Sequence, residues 1–288
     1  MMSDAGRDQP TLAELRRPCA GRGDIVDRSD GTRLRVISAG TGPQVVLVHG
    51  FGVSADEWNL VQPSLVADHW AVLAYDQRGH GRSTLGSDGL TAAALWRDFA
   101  AILASHDVSE AIIVCHSMGN FVGLGAMGFW PELQRRVRGI VCVSPVTGHA
   151  TRGAPAARLQ IPLVRTGVAQ RVAAVPPVGR LLARANLGPR VSDSVVDATR
   201  LVLCEIPRHL APLAAMLARE SITSALPAID VPVTVLSGDA DRLTPRWHAD
   251  TIVERTASAR LVPIPGVGHM VNWESPDAII AAVQEFRR

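Results

Sequence analysis

The chain has 288 residues, 47% of them apolar and 19% charged, with a mean hydropathy of +0.15. That composition excludes a disordered chain, because apolar burial can offset the entropy lost on folding, and the length suits two average domains or one large domain with an insertion. All 29 basic residues are Arg against 27 acidic residues, so the net charge of +2 excludes the strong basic excess of a nucleic-acid binder.

The first 24 residues hold no apolar run of signal-peptide length, which makes the cytoplasm the expected location. In chain order, Asp30-Gly31 between two short extended segments predicts a hairpin at one edge of a sheet. Short β-branched runs bounded by turn residues predict buried strands at 33–36, 45–48, 71–75, 111–115, 140–143, 233–237 and 260–264. Helical spacing of apolar residues predicts helices at 92–105, 121–129, 247–255 and 278–286. Strands alternating with helices imply an α/β fold with a mostly parallel central sheet flanked by helices on both faces.

The alternation stops after Ser144-Pro145 and resumes at Val231-Pro232. Eight prolines between them, with several short helical patterns, predict an inserted helical lid at 146–228 on a core formed by 1–145 and 229–288. The insertion carries ten Arg against four acidic residues, which suits a solvated helix face or, alternatively, contact with an anionic membrane surface or an acidic substrate. Two stretches, 36–55 and 111–131, lack Asp, Glu and Arg over roughly the length of a membrane span. Their glycines, and the polar His116, Ser117 and Asn120, argue instead for strands feeding tight turns. Cys19, Cys115, Cys142 and Cys204 form no Cys-x-x-Cys pair and are expected as reduced thiols.

Chemistry concentrates at a few turns. Cys115-His116-Ser117-Met118-Gly119 follows a predicted strand and precedes a glycine-rich helix, the setting of a nucleophile elbow of the form G-x-S-x-G, with Cys115 replacing the first Gly. A serine nucleophile needs a base to take its proton and an acid to orient that base. Downstream, Ser237-Gly238-Asp239-Ala240-Asp241 ends one strand and Gly266-Val267-Gly268-His269-Met270 follows the last. Strand alternation cannot choose between Asp239 and Asp241; the other is expected to cap a turn. His49-Gly50-Phe51-Gly52 follows the strand at 45–48, where the Phe51 N–H, with the Met118 N–H, can face a developing oxyanion.

His49 and His116 flank this site and are expected to be structural. The remaining histidines lack metal-ligand spacing, so neither a metal nor a cofactor is expected. Gly123-x-Gly125-x-x-Gly128 matches a dinucleotide fingerprint in letters, but it lies inside the helix after the elbow and reads as a packing surface. Trp58, Trp96, Trp130 and Trp273 read as core or pocket wall.

From about Asp24 to the C-terminus the chain resembles an α/β-hydrolase-fold serine hydrolase of esterase or lipase type. The likeness rests on the elbow, on Asp76-Gln77-Arg78-Gly79-His80-Gly81-Arg82-Ser83, on the acid loop 238–245 and on Gly268-His269-Met270. The resemblance implies Ser117 as nucleophile, Asp241 as acid, His269 as base and 146–228 as the lid. The expected activity is cleavage of a carboxylic ester of a hydrophobic small molecule through an acyl-enzyme, with the apolar Leu159, Ile161, Leu163, Val164, Leu181 and Leu182 of the lid suggesting the hydrophobic group. The same residues would serve perhydrolysis, carbon–carbon hydrolysis or a lyase step, and a receptor-like member with slow turnover is the non-enzymatic alternative.

Overall fold

The computed structural model describes residues 9–150, 152 and 162–287. Its eight strands are β1 (Arg22–Asp27), β2 (Arg33–Ala39), β3 (Gln44–Val48), β4 (Ala71–Tyr75), β5 (Ala111–His116), β6 (Val137–Val143), β7 (Val233–Gly238) and β8 (Ala259–Ile264), in one sheet ordered β1-β2-β4-β3-β5-β6-β7-β8. The hairpin expected at Asp30-Gly31 joins β1 to β2, with Gly31 at φ 86°. β2 runs antiparallel to β4, and every pairing from β4 across to β8 is parallel.

β5 and β7 are buried along their whole length, as strands covered on both faces must be, and this is why they read as continuous apolar runs. β8 is one of the two edge strands, so its residues are half-buried or exposed rather than buried. On one face Phe99, Ile102 and Leu103 of the helix Ala92–Ser105 and Phe121 of Met118–Phe129 pack on Val46, Ile113 and Val235. On the other, Leu65 of Gln62–Ala67 with Ile279 and Val283 of Pro276–Gln284 cover Val45, Leu47 and Val114.

Between β6 and β7 the chain leaves the sheet for the helices Val168–Ala174, Pro176–Arg184, Asp193–Glu205 and Ala211–Arg219. Arg180 reaches both Asp193 and Asp197, and Arg184 reaches Asp193, so part of the basic charge is neutralised within the helices. The apolar residues of the expected lid do not behave alike. Leu159 and Ile161 lie outside the described residues, Val164 is buried, and Leu163, Leu181 and Leu182 are exposed, Leu181 by 71%. For Leu181 and Leu182 the reason is the packing of Pro176–Arg184, which turns its small Gly179 and Ala183 inward; a Cβ on Gly179 would stand 2.0 Å from the Ala173 carbonyl oxygen. Among the described residues no single helix is long and apolar enough to cross a membrane; Asp193–Glu205 and Arg208–Arg219 pass only as a pair bent by 78°.

The turn from β5 into the helix Met118–Phe129 departs from ordinary backbone geometry, with Ser117 at φ 51° and ψ −117°. Close approach of helix and sheet requires glycines here: a Cβ on Gly119 would lie 2.4 Å from the Val48 carbonyl oxygen, and one on Gly123 would lie 2.6 Å from Cys115 Sγ. The second contact explains how the elbow tolerates Cys115. Its sulfur fills the hollow that Gly123 leaves in the helix. Gly125 and Gly128 likewise admit the Trp96 indole and Ala225, which makes the dinucleotide-like pattern a packing surface.

The loop after β4 is pinned by a buried guanidinium. Arg78, 2% exposed, binds Asp98 with Nε and Nη2 at 2.7 and 2.8 Å, and its Nη1 reaches Asp30 Oδ2 at 3.0 Å and the Gly89 carbonyl at 2.9 Å. Burial alone would raise Asp30; the Thr32 amide and hydroxyl and the Arg78 charge outweigh it and hold the carboxyl at about 2.

Two tests follow from this packing. Arg78→Ala takes the bidentate partner from buried Asp98, which keeps only Arg28, and takes the guanidinium from Asp30, which keeps its Thr32 donors, and should cost about 3 kcal/mol in urea unfolding at pH 7. Because Asp30 has a depressed pKa, its share is complete above about pH 4 and is lost as pH falls toward 2, so the gap to wild type should narrow there. A loss below about 1 kcal/mol at pH 7 would contradict the network. Gly123→Ala should destabilise by about 1–3 kcal/mol through overpacking, and Cys115→Ala should relieve that cost; additive effects of the two changes would contradict the pairing of hollow and sulfur.

Candidate active site

Loops at the carboxyl ends of parallel strands emerge along one edge of a sheet, and the candidate residues all lie on such loops. His49, Gly50 and Phe51 follow β3, Ser117 follows β5, Asp241 follows β7 and His269 follows β8. The Ser117 amide donates to the Val143 carbonyl at 2.9 Å, tying the turn to the end of β6. Asn120 lies fully buried beneath it and donates from Nδ2 to the carbonyl oxygens of Cys115, Ser117 and Val143 at 3.0, 3.1 and 3.2 Å.

Asp241 and His269 meet although 28 residues separate them: His269 Nδ1 lies 2.9 Å from Asp241 Oδ2. The Thr244 hydroxyl donates to the same oxygen at 2.5 Å, and the Leu243 and Thr244 amides donate to Oδ1, each at 2.9 Å. Burial works against charge on Asp241, yet His269 and the Thr244 hydrogen bonds outweigh it and hold the carboxyl below its ordinary range. A carboxylate at Nδ1 leaves Nε2 as the ring atom able to take a proton. Asp239 is exposed and accepts from the Gly266 amide at 2.7 Å, so it is the turn-capping acid of the two.

The ring of His116, the residue before Ser117, has its centroid 5.0 Å from that of His269. A Cβ on Gly50 would lie 3.2 Å from Ser117 Cβ, so the loop carrying the Phe51 amide passes directly over the serine. Ile206 stands over that loop, at 3.0 Å from a Cβ position on Gly52. A cavity of about 340 Å³ opens beside it, lined by Gly52, Val53, His80, Ala198, Val202 and Trp273 among others; neither Ser117 nor His269 lines it.

Three other histidines near the site, His49, His80 and His248, are pushed toward the neutral form. His49 Nε2 accepts from the Gln77 amide at 2.9 Å while Nδ1 faces the Gly50 carbonyl, and burial lowers its pKa. Burial also pushes His80 down to about 3 and His248 down to about 4. His116 goes the other way: burial would lower it, but the Glu57 carboxylate outweighs that and raises it.

Four residues at the site escape sequence reasoning. Asn120, Thr244, Glu57 and Glu274 all fix loops. Glu274 accepts from the Gly188, Gly268 and Met270 amides at 2.7, 2.9 and 3.1 Å, so one carboxylate joins the inserted helices to the His269 loop. The His269 amide in turn donates to the Asn186 carbonyl at 2.8 Å. Asn120 and Thr244 lie three residues beyond Ser117 and Asp241, a helix-start and turn spacing that could have found them. Nothing in the spacing of Glu57 or Glu274 could.

Comparison with known proteins agrees with this architecture. A sequence model of the alpha/beta hydrolase family matches residues 45–282. A putative non-heme chloroperoxidase of Synechocystis is 26% identical over 265 residues, covering 86% of this chain and 92% of that one. A crystal structure of a hydrolase from Pseudomonas aeruginosa is 28% identical with a TM-score of 0.74, covering 93% of this chain and 99% of the other. An esterase of Exiguobacterium antarcticum superposes with a TM-score of 0.80 at 17% identity, over 91% of this chain and 100% of its own, a likeness of fold. The chain belongs to the alpha/beta hydrolase family.

Proposed function

We propose that the chain is a serine hydrolase that cleaves a carboxylic ester of a hydrophobic small molecule. The observation that carries this reading is the 2.9 Å pairing of His269 Nδ1 with buried Asp241, at the strand ends that also hold Ser117 in its strained turn. His269 takes the Ser117 hydroxyl proton as Oγ attacks the ester carbonyl. The Phe51 and Met118 amides stabilise the oxyanion, Asp241 orients the imidazole, and His269 returns the proton to the departing alcohol. Water, deprotonated by the same ring, then releases the acid and restores Ser117. The inserted helices act as the lid. With Leu181 and Leu182 turned to solvent, the apolar wall of the substrate site falls to residues such as Ile206 over the oxyanion loop.

A second reading has support from the likeness to a non-heme chloroperoxidase. Hydrogen peroxide in place of water would resolve the acyl-enzyme to a peracid, with His269 taking the peroxide proton. The residues and the acyl-enzyme are common to both reactions.

The test is turnover of p-nitrophenyl esters of increasing acyl length by wild type and Ser117→Ala, with and without peroxide. Ester hydrolysis that falls by roughly a thousandfold or more in Ser117→Ala is the expected result, and the chain-length optimum then sizes the pocket. Peracid formation outrunning hydrolysis would favour the second reading. Turnover unchanged in Ser117→Ala would reject both.

A further inference from the structure

We propose that Glu57 and His116 form a positioning pair, carboxylate to imidazolium, that locks the oxyanion loop and the base loop onto the nucleophile turn. The proposal rests on the serine-hydrolase reading and concerns residues outside the Ser117, Asp241 and His269 set. Both side chains are closed to solvent, at 1% and 2% exposure. His116 Nδ1 lies 3.0 Å from Glu57 Oε2, and Nε2 lies 3.1 Å from the His269 carbonyl oxygen. A carbonyl oxygen only accepts, so Nε2 carries a proton. Glu57 Oε1 accepts from the Gly50 amide at 3.0 Å, and in the proposed pair Oε2 accepts a hydrogen bond from the Nδ1–H of a doubly protonated ring.

The surroundings support that charge state. Burial opposes it, but the carboxylates of Glu57 and, at longer range, Asp241 act in its favour, together with the His269 carbonyl. The His269 ring faces His116 at 5.0 Å and the Trp58 ring meets it edge-on at 6.3 Å between centroids. A buried ion pair adds little net stability over apolar residues of the same shape, so holding geometry is the better account of this one.

What the pair holds is the catalytic geometry itself. Gly50 precedes Phe51, so anchoring the Gly50 N–H fixes the peptide that carries the Phe51 N–H. His116 precedes Ser117, and its Nε2 fixes the backbone of His269. The Glu57 main-chain carbonyl also accepts from Asn272 Nδ2 at 2.9 Å and Trp273 Nε1 at 3.1 Å. One short turn, Ala55–Trp58, thus reaches the oxyanion loop, the nucleophile turn and the base loop.

The experiment compares Glu57→Ala, His116→Phe, their double variant and Glu57→Gln in ester turnover, with histidine ¹⁵N NMR of the wild type at pH 8. Removing either partner displaces a donor rather than deleting it, so kcat should fall by about 10- to 100-fold with KM held within about threefold. The double variant should be no worse than either single one. Gln can accept from Gly50 and donate to a neutral His116 Nδ1, so Glu57→Gln should keep kcat within about fivefold of wild type. NMR should show one histidine protonated on both ring nitrogens at pH 8, replaced by a neutral ring in Glu57→Gln. Absence of that signal from wild type, or wild-type kcat in Glu57→Ala, overturns the pair even if His116→Phe fails to fold. A wild type inert toward esters and peroxide instead removes the hydrolase reading, and the pair's catalytic role with it.

Discussion

A serine held at φ 51° and ψ −117° between a buried strand and a helix is the constraint around which this molecule is arranged. Such a conformation costs on the order of 1–3 kcal/mol and persists only where its surroundings over-determine it. Here they do. Gly119 lets the helix close to within contact of the Val48 carbonyl, Gly123 leaves room for Cys115, and Asn120 gathers three carbonyls of the turn from below. The parallel order from β3 to β8 then brings the loops bearing Phe51, Asp241 and His269 to the same edge of the sheet.

Electrostatics at that edge follows from which buried groups find partners. His49, His80 and His248 are buried without a carboxylate at hydrogen-bond distance and are pushed toward the neutral form. Asp241 keeps its charge because donors converge on both its oxygens, so His269 has an anion at Nδ1. His116 has a second anion, Glu57, and is driven toward the charged form. Two histidines whose rings lie 5.0 Å apart thereby have different carboxylate partners. In the reading proposed above, His269 exchanges a proton with substrate and His116 anchors backbone.

Much of the fold was legible because buried parallel strands are continuous apolar runs and the helices that cover them keep an apolar stripe. The helices at 92–105 and 247–255 fall where the periodicity puts them. The helix expected at 121–129 begins three residues earlier, at Met118, since the serine turn itself opens it. β1 carries almost no apolar signal, being exposed along most of its length, and only the Asp30-Gly31 turn betrayed it. Which side of Pro176–Arg184 faces inward was not legible, because hydrophobicity says nothing of which way a helix turns when Gly179 and Ala183 make the tighter contact and leave Leu181 and Leu182 exposed. Asp239 and Asp241 could not be separated by spacing, whereas Thr244 and the Gly266 amide separate them in space. Glu57 was invisible for a plainer reason: its partner lies 59 residues away at the end of β5, and no local pattern encodes that pairing.

The central claim is that Ser117 is the activated nucleophile. Incubating the protein with a fluorophosphonate and mapping the adduct by peptide mass spectrometry tests it without knowledge of the substrate. The account predicts one stoichiometric phosphonyl adduct, on Ser117, formed more slowly in Asp241→Asn. No adduct, or an adduct on another serine, would contradict it.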